Sequence, residues 1–281
     1  MDEQIFWEEI KKDVKTIPSS INGGPHSHIE HIRRQTRTFM YDRKYNDYET
    51  FLSQLRINKE LKEEYINTLH IHETYFFREY KQFELLNQKI LKEILYKRKS
   101  LNVWSAACST GEEYYSIMMM LLYTSFIYPN NSIKILGSDI STLALGIASS
   151  GKYPESSLRN LEDKNERLHK IFMTCYNLER GYYVPNRFFK EFCDNNGSLM
   201  KIDLMTDSYP EYQDVIFLRN ILFYFDTEQV KHILKKVYDS LSSDGYLFLS
   251  SVEISSPSVE CCGFKKEEID GCTVLRKQER Y

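Results

Sequence analysis

Three acids and the small residues beside them carry the most chemical information in this chain. The run Ala106-Ala107-Cys108-Ser109-Thr110-Gly111 is followed directly by Glu112 and Glu113, and an apolar helical stretch begins there. Small side chains let a ligand approach the main chain, and a helix start offers unpaired amides. The run is not G-x-G-x-x-G, and two carboxylates stand where a pyrophosphate would need neutral or positive surroundings, so a dinucleotide is disfavoured. The pair suits a cationic or hydroxyl-bearing ligand, or it forms a capping box, Ser109 with Glu112 or Thr110 with Glu113. Asp139 ends the next apolar run, Gly137-Ser138-Asp139. That is roughly twenty residues past the loop, where an acid accepts the hydroxyls of a ribose; otherwise Asp139 caps the helix that follows.

Further candidates sit after later apolar runs. Asp203-Leu204 could edge and cover an adenine, or Asp203 could cap its own loop. Arg219-Asn220 ends the run Phe217-Leu218, where a solvated surface pair is not expected. Tyr224 follows in Ile221-Leu222-Phe223-Tyr224-Phe225-Asp226 and could face a sulfonium, because an aromatic face attracts cations; the alternative is core packing. Arg78 lies among aromatics in His72-Glu73-Thr74-Tyr75-Phe76-Phe77-Arg78-Glu79, either functional or simply exposed. Acid after the first strand, acid after the second and no phosphate loop fit S-adenosylmethionine better than a nicotinamide cofactor. That molecule has a ribose, a carboxylate, an ammonium and a sulfonium, and no phosphate.

The elements that must position these residues fall into two parts. Residues 2–16 have Phe6, Ile10 and Val14 at helical spacing, a turn-rich break covers 17–27, and two or three short helices are expected over 28–70. An amphipathic helix is expected after Thr74, with Phe76, Phe77, Phe83, Leu86, Ile90, Ile94 and Leu95 on one face. From residue 101, strands and helices alternate: strands at 101–106, 133–138, 199–204, 215–218 and 246–252, helices at 112–127, 142–149 and 226–240. Asp226 with Gln229 makes a capping box. This alternation predicts an α/β fold with a mainly parallel sheet covered on both faces, whose ligand lies outside the strands' carboxyl ends. Residues 172–200, with Gly181, Pro185 and Gly197, read as an irregular insertion with short strands.

Composition narrows the class. The 281 residues are 42% hydrophobic and 27% charged with a net charge of −3, which is ordinary for a soluble globular chain and excludes a grossly basic nucleic-acid binder. The longest apolar stretch, 114–128, is too short and too interrupted for a membrane span, and no signal peptide is expected at the start. The six cysteines, Cys108, Cys175, Cys193, Cys261, Cys262 and Cys272, have neither C-x-x-C nor zinc spacing, so free thiols in the cytoplasm and no metal are expected.

The motifs H-E-T-Y-F-F-R-E, S-A-A-C-S-T-G-E-E, S-D-I and R-N-I-L-F-Y-F-D, in that order and at about that spacing, resemble the chemotaxis-receptor glutamate O-methyltransferases, the CheR family. The resemblance spans roughly residues 28–255. It implies a doubly wound, Rossmann-like S-adenosylmethionine methyltransferase sheet with a small β-subdomain inserted at about 172–200, occupying residues 71–281. It also implies an all-α, receptor-docking N-terminal domain over residues 1–70. It assigns cofactor contacts to His72, Thr74, Arg78, Glu113, Asp139, Asp203, Leu204, Arg219 and Asn220, and places Arg78 and Tyr224 beside the transferred methyl. Of the loop acids it selects Glu113 and leaves Glu112 to capping. The chain departs from the family pattern at His72, where Asn is usual, at Asp203, at Leu218, and in Ser250-Ser251-Val252-Glu253, where Gly-His-Ser-Glu is common.

The implied reaction moves methyl from S-adenosylmethionine to glutamate side chains of chemotaxis receptors, leaving S-adenosylhomocysteine, with no metal. The expected partner is the receptor's cytoplasmic helical domain, met by a monomer with neither nucleic acid nor membrane insertion. Residues 28–44 carry Arg33, Arg34, Arg37, Arg43 and Lys44 against Glu30 and Asp42, and Arg33 or Arg34 shares a helical face with Arg37. This face is the expected docking surface for an acidic helix. The rival readings are a methyltransferase of another protein or small molecule and a non-catalytic sensor of S-adenosylmethionine. A nicotinamide oxidoreductase is more distant.

Overall fold

Parallel strands buried on both faces are continuous apolar runs, and the centre of this chain follows that rule. A computed structural model describes residues 1–14, 26–69, 74–256, 259 and 262–277. Strands β1 (Ser100–Ala106), β2 (Ser132–Asp139), β6 (Gly197–Lys201), β7 (Gln213–Leu218) and β8 (Leu241–Phe248) are parallel neighbours, and all six residues of β7 are buried. A C-terminal antiparallel hairpin, β9 (Phe264–Ile269) and β10 (Cys272–Lys277), extends the sheet to the order β6-β2-β1-β7-β8-β10-β9. The chain runs outward from β1 through β2 on one side and through β7 and β8 on the other. The crevice between β1 and β7 is therefore the switch point at which such sheets bind ligands.

Helix α7 (Glu112–Ile127) is apolar nearly all round because it is buried nearly all round. It packs on the same face as α5 (Tyr80–Leu85) and α6 (Leu91–Lys97), which a π-helical turn at Leu86–Ile90 joins. Helix α8 (Thr142–Ser150) lies against β2 and β6, and α12 (Thr227–Ser240) covers the other face. The capping box expected for α12 is present, with Asp226 accepting from the Gln229 amide and Gln229 returning the bond. A separate three-stranded antiparallel sheet, order β3-β5-β4, is built from Tyr153–Pro154, Tyr182–Pro185 and Tyr176–Glu179. Helix α10 (Glu166–Cys175) lies between β3 and β4 in the chain, and α11 (Arg187–Asn196) follows β5.

The first 69 residues carry their own core. Helices α1 (Glu3–Asp13), α2 (His26–Asp42), α3 (Tyr48–Ile57) and α4 (Lys59–Leu69) bury Phe6, Trp7, Ile10, Phe39, Phe51 and Tyr65 among themselves. Glu63 on α4 meets Lys201 at the end of β6, 2.7 Å apart, and links this bundle to the sheet.

The structure differs from the sequence reading in several places; the stretch 172–200, expected to be irregular, holds the end of α10, the β4–β5 hairpin and α11, and the strand expected at 246–252 runs from Leu241 to Phe248. The helix expected from Thr74 begins only at Tyr80, because Phe77 and Glu79 are left-handed (φ +55° and +57°) and 74–79 is a tight turn. Phe76 and Phe77 are nevertheless buried, which is why their spacing resembled a helical face. The strand expected at 199–204 starts at Gly197 and ends at Lys201, paired with β2 in the main sheet. The hairpin β9–β10 was not foreseen.

Candidate active site

The loop after β1 is shaped by three left-handed residues, Ala107, Ser109 and Gly111 (φ +59°, +51° and +97°). Gly111 is the N-cap of α7, and a Cβ there would lie 2.7 Å from the Tyr153 hydroxyl and 2.8 Å from Ala148, so glycine is required twice over. With glycine in that position neither expected capping box forms. Glu112 instead accepts from Thr110 Oγ1 (2.6 Å) and Ser157 Oγ (3.2 Å). Glu113 accepts from Ser105 Oγ (2.7 Å) and pairs with Arg219 Nε (2.8 Å). The capping role assigned to Glu112 is thus corrected: its carboxylate lies under the loop, and burial raises its pKa above the ordinary value. A glutamate whose folded pKa is raised contributes stability below its unfolded pKa, about 4.3, and loses that contribution as pH rises through the folded value. Glu112→Gln should therefore gain stability relative to the parent as pH rises from 4 to 8. Urea midpoints at the two ends of that range check this, and a constant difference would refute it.

Arg219 organises the site. Its Nε meets Glu113, Nη1 donates to Gln82 Oε1 (2.7 Å) and Nη2 donates to the Arg78 carbonyl (2.7 Å), over the rings of Phe83 and Phe217. Gln82 in turn donates to the Leu249 carbonyl (2.8 Å), and Glu79 accepts from the Ser251 amide (3.1 Å). The end of β7, the start of α7 and the 78–82 segment therefore share one largely buried charge pair, Glu113 with Arg219. Arg78 is half-buried between left-handed Phe77 and Glu79, its guanidinium 5.8 Å from the centre of the Tyr75 ring.

Asp139 accepts from the amides of Ser109 (2.8 Å) and Ser141 (2.9 Å), binding the end of β2 to the β1 loop. The helix-cap alternative belongs to Ser141, whose hydroxyl accepts from the Ala144 amide. Asp203 accepts from the Met205 amide (2.8 Å), the local loop role considered for it. Asp203 also lines a crevice with Ala107, Asp139, Ile140, Ile202, Leu204, Ile221, Tyr224 and Phe225. The structure thus brings Asp139, Asp203, Leu204 and Tyr224 together, with Glu113, Arg219 and Arg78 in the adjoining network. Asn220, left-handed at φ +57°, makes the turn between the two groups. Thr74 is half-buried four residues before Arg78, and His72 lies outside the described residues. Arg33, Arg34 and Arg37 lie on α2 in the helical bundle. Arg33 meets Glu30, Arg37 grips Glu3 through both carboxylate oxygens, and Arg34 is exposed.

Sequence reasoning missed Gln82, Ser105 and Glu253. The Glu253 carboxylate accepts from the amides of Asn220, Ile221 and Leu222 and from the amide and hydroxyl of Ser250, so it holds the Arg219-Asn220 turn in place. Its one visible signal was the terminal acid of the unusual Ser250-Ser251-Val252-Glu253 stretch.

The crevice lining decides what can occupy it. Two carboxylates edge an apolar slot that has no cationic side chain among the residues lining it. A pyrophosphate would be repelled. With its family match, this chain, a doubly wound sheet with an acid-edged crevice at the switch point, is an S-adenosylmethionine-dependent methyltransferase. Residues 72–260 match the family model described as the CheR methyltransferase, SAM binding domain, and the chain belongs to the CheR family. It is similar to the chemotaxis protein methyltransferase of Borreliella burgdorferi, 33% identical over 220 residues covering 74% of this chain and 73% of the relative. A chemotaxis protein methyltransferase of Vibrio cholerae is 35% identical, covering 68% and 65%. That of Escherichia coli is 33% identical, covering 74% and 70%.

Proposed function

We propose that this chain methylates glutamate side chains on the cytoplasmic helices of chemotaxis receptors. The observation that carries the reading is the convergence of the acid-edged crevice and the Arg78–Arg219–Glu113 network on one end of the sheet. S-adenosylmethionine supplies a methyl group already activated on a sulfonium. Asp139, Asp203 and Leu204 would hold its nucleoside, Glu113 its ammonium, and the Tyr224 face would lie toward the positive sulfur. Thr74, Asn220 and His72 complete the proposed contacts. A substrate glutamate, with an ordinary pKa of about 4.3, is ionised at neutral pH, so no general base is required. Arg78 receives that carboxylate through two parallel hydrogen bonds and orients one oxygen for in-line attack.

Residues 1–70 are proposed as the receptor-docking domain and 71–281 as the catalytic domain; the separate core of the helical bundle supports this division. The exposed Arg34 face of α2 would meet the acidic receptor helix. The setting is proposed to be the cytoplasm, with the chain acting as a monomer. Among the described residues, no helix is long and apolar enough to cross a membrane.

The test is a methyl-transfer assay on receptor cytoplasmic fragments. The expected product is a base-labile methyl ester on glutamate, formed more slowly and with less salt dependence by Arg34→Glu. Absence of ester from every receptor fragment would overturn the reading.

A further inference from the structure

The small antiparallel sheet reaches back to the candidate site through one side chain. Tyr153 of β3 is 1% exposed, and its hydroxyl donates to the Thr110 carbonyl (2.8 Å) in the loop that ends in Glu112 and Glu113. Burial holds the phenol's pKa well above its ordinary value, so it keeps its proton and remains a donor at neutral pH. The ring meets Phe76 edge to face, with centroids 4.9 Å apart and planes at 84°. Phe76 lies two residues before Arg78.

The 3-10 turn that follows, Glu155–Leu158, repeats this double contact. Ser157 Oγ donates to the Glu112 carboxylate (3.2 Å), and the Ser157 carbonyl accepts from the Phe76 amide (2.9 Å). Residues 153–157 therefore hold the cofactor loop and the 74–79 turn at once. A further link joins the same two segments: the Phe77 amide donates to Ser116 Oγ (3.0 Å), which donates to the Glu112 carbonyl (2.6 Å). The loop needs such outside support. Thr110 sits between left-handed Ser109 and Gly111, and Ala107 and Ser109 adopt that conformation at a cost. In-line transfer also requires reacting atoms about 3–3.5 Å apart, so the loop and the Arg78 turn must keep a fixed spacing.

We infer that Tyr153 is a positioning residue for methyl transfer: its hydroxyl holds the cofactor loop and its ring holds the turn that carries Arg78. The inference rests on the proposed cofactor crevice and deepens that reading. Removing the hydroxyl alone frees the loop, weakens cofactor binding and spoils alignment. The Arg78 turn keeps its contact with the ring, so the hold on substrate is retained.

The experiment compares the parent with Tyr153→Phe, Asp203→Ala and a matched control, Tyr65→Phe. Tyr65 is 0% exposed in the helical bundle, and its hydroxyl bonds to Thr36 Oγ1 (2.8 Å), so the control loses the same kind of group far from the loop. Calorimetric binding of S-adenosylhomocysteine, urea unfolding and methylation of a receptor cytoplasmic fragment are measured. Tyr153→Phe should weaken S-adenosylhomocysteine binding by about five-fold, the usual worth of one hydrogen bond. It should lower kcat on the order of ten-fold and leave KM for the fragment within about two-fold. Tyr65→Phe should lose similar stability with its S-adenosylhomocysteine affinity within about two-fold of the parent. Should Tyr153→Phe not fold, Ser157→Ala carries the same test, with an expected loss of affinity of about three-fold. Unchanged affinity in Tyr153→Phe, while Asp203→Ala binds poorly, overturns the inference and leaves the crevice standing. Equal losses in Tyr153→Phe and Tyr65→Phe overturn it too, because the hydroxyl then serves stability alone. If Asp203→Ala and Tyr153→Phe both bind like the parent, the crevice and the inference fall together. If the parent methylates no fragment, the receptor reading falls, and calorimetry alone decides the role of Tyr153.

Discussion

Arg78→Ala is expected to lower kcat for receptor methylation by about a hundred- to a thousand-fold, the loss that follows removal of one well-placed donor at a reacting oxygen. The fold should survive. The segment is held by several bonds that alanine keeps, among them the Arg78 carbonyl accepting from Arg219, the Phe76 amide donating to Ser157 and the Phe77 amide donating to Ser116. The left-handed residues Phe77 and Glu79 shape the backbone on either side of Arg78, whose guanidinium lies 5.8 Å from the centre of the Tyr75 ring. Arg78→Lys keeps the charge and loses the planar fork, and it should fall between parent and alanine. Single-turnover rates with saturating S-adenosylmethionine, together with circular dichroism, check the expectation. A folded Arg78→Ala enzyme with nearly normal turnover would remove Arg78 from the reaction.

How far the sequence discloses this site depends on the range of each interaction. The central strands are legible because burial on both faces leaves uninterrupted apolar runs such as Val215-Ile216-Phe217-Leu218. Helix α12 is legible because Asp226 and Gln229 cap each other three residues apart. The loop at 106–113 reads in sequence as a ligand loop or a capping box, and no capping box forms there. Its shape depends on left-handed Gly111 wedged against Tyr153 and Ala148, both far along the chain. Residues 74–79 misled for a related reason. Phe76 and Phe77 are buried at helix-like spacing, but in turns that the spacing alone does not distinguish from a helix. Amphipathic α10 was partly absorbed into an irregular insertion, and the hairpin at 264–277 is rich enough in charge to hide its alternation. The partners of Arg219 were illegible altogether: Glu113, Gln82 and the Arg78 carbonyl come from segments that meet only in three dimensions.

Glu253 is the strongest case of such a hidden partner, and its removal should have the larger effect on the folded site. The residue is 5% exposed, and its carboxylate accepts from Asn220 N (2.8 Å), Ile221 N (2.7 Å), Leu222 N (2.7 Å), Ser250 N (3.1 Å) and Ser250 Oγ (2.6 Å). Glu253→Ala leaves those donors without their acceptor, at about 1–3 kcal/mol for each one that water cannot reach. A total loss of about 3–5 kcal/mol is expected, at the upper end for a single substitution. The left-handed turn at Asn220 would then lose the anion that collects its amides, and Arg219 and Tyr224, on either side of it, would lose their positions. Affinity for S-adenosylhomocysteine should therefore fall by more than about ten-fold even at low temperature, where the variant is still folded. Glu253→Gln keeps one acceptor oxygen but points an amide at donors, so it should recover part of the stability and little of the affinity. Urea unfolding and calorimetry on the same samples separate the two effects. If Glu253→Ala is destabilised yet binds S-adenosylhomocysteine as tightly as the parent, the carboxylate supports the fold and does not set the geometry of the Arg219-Asn220 turn.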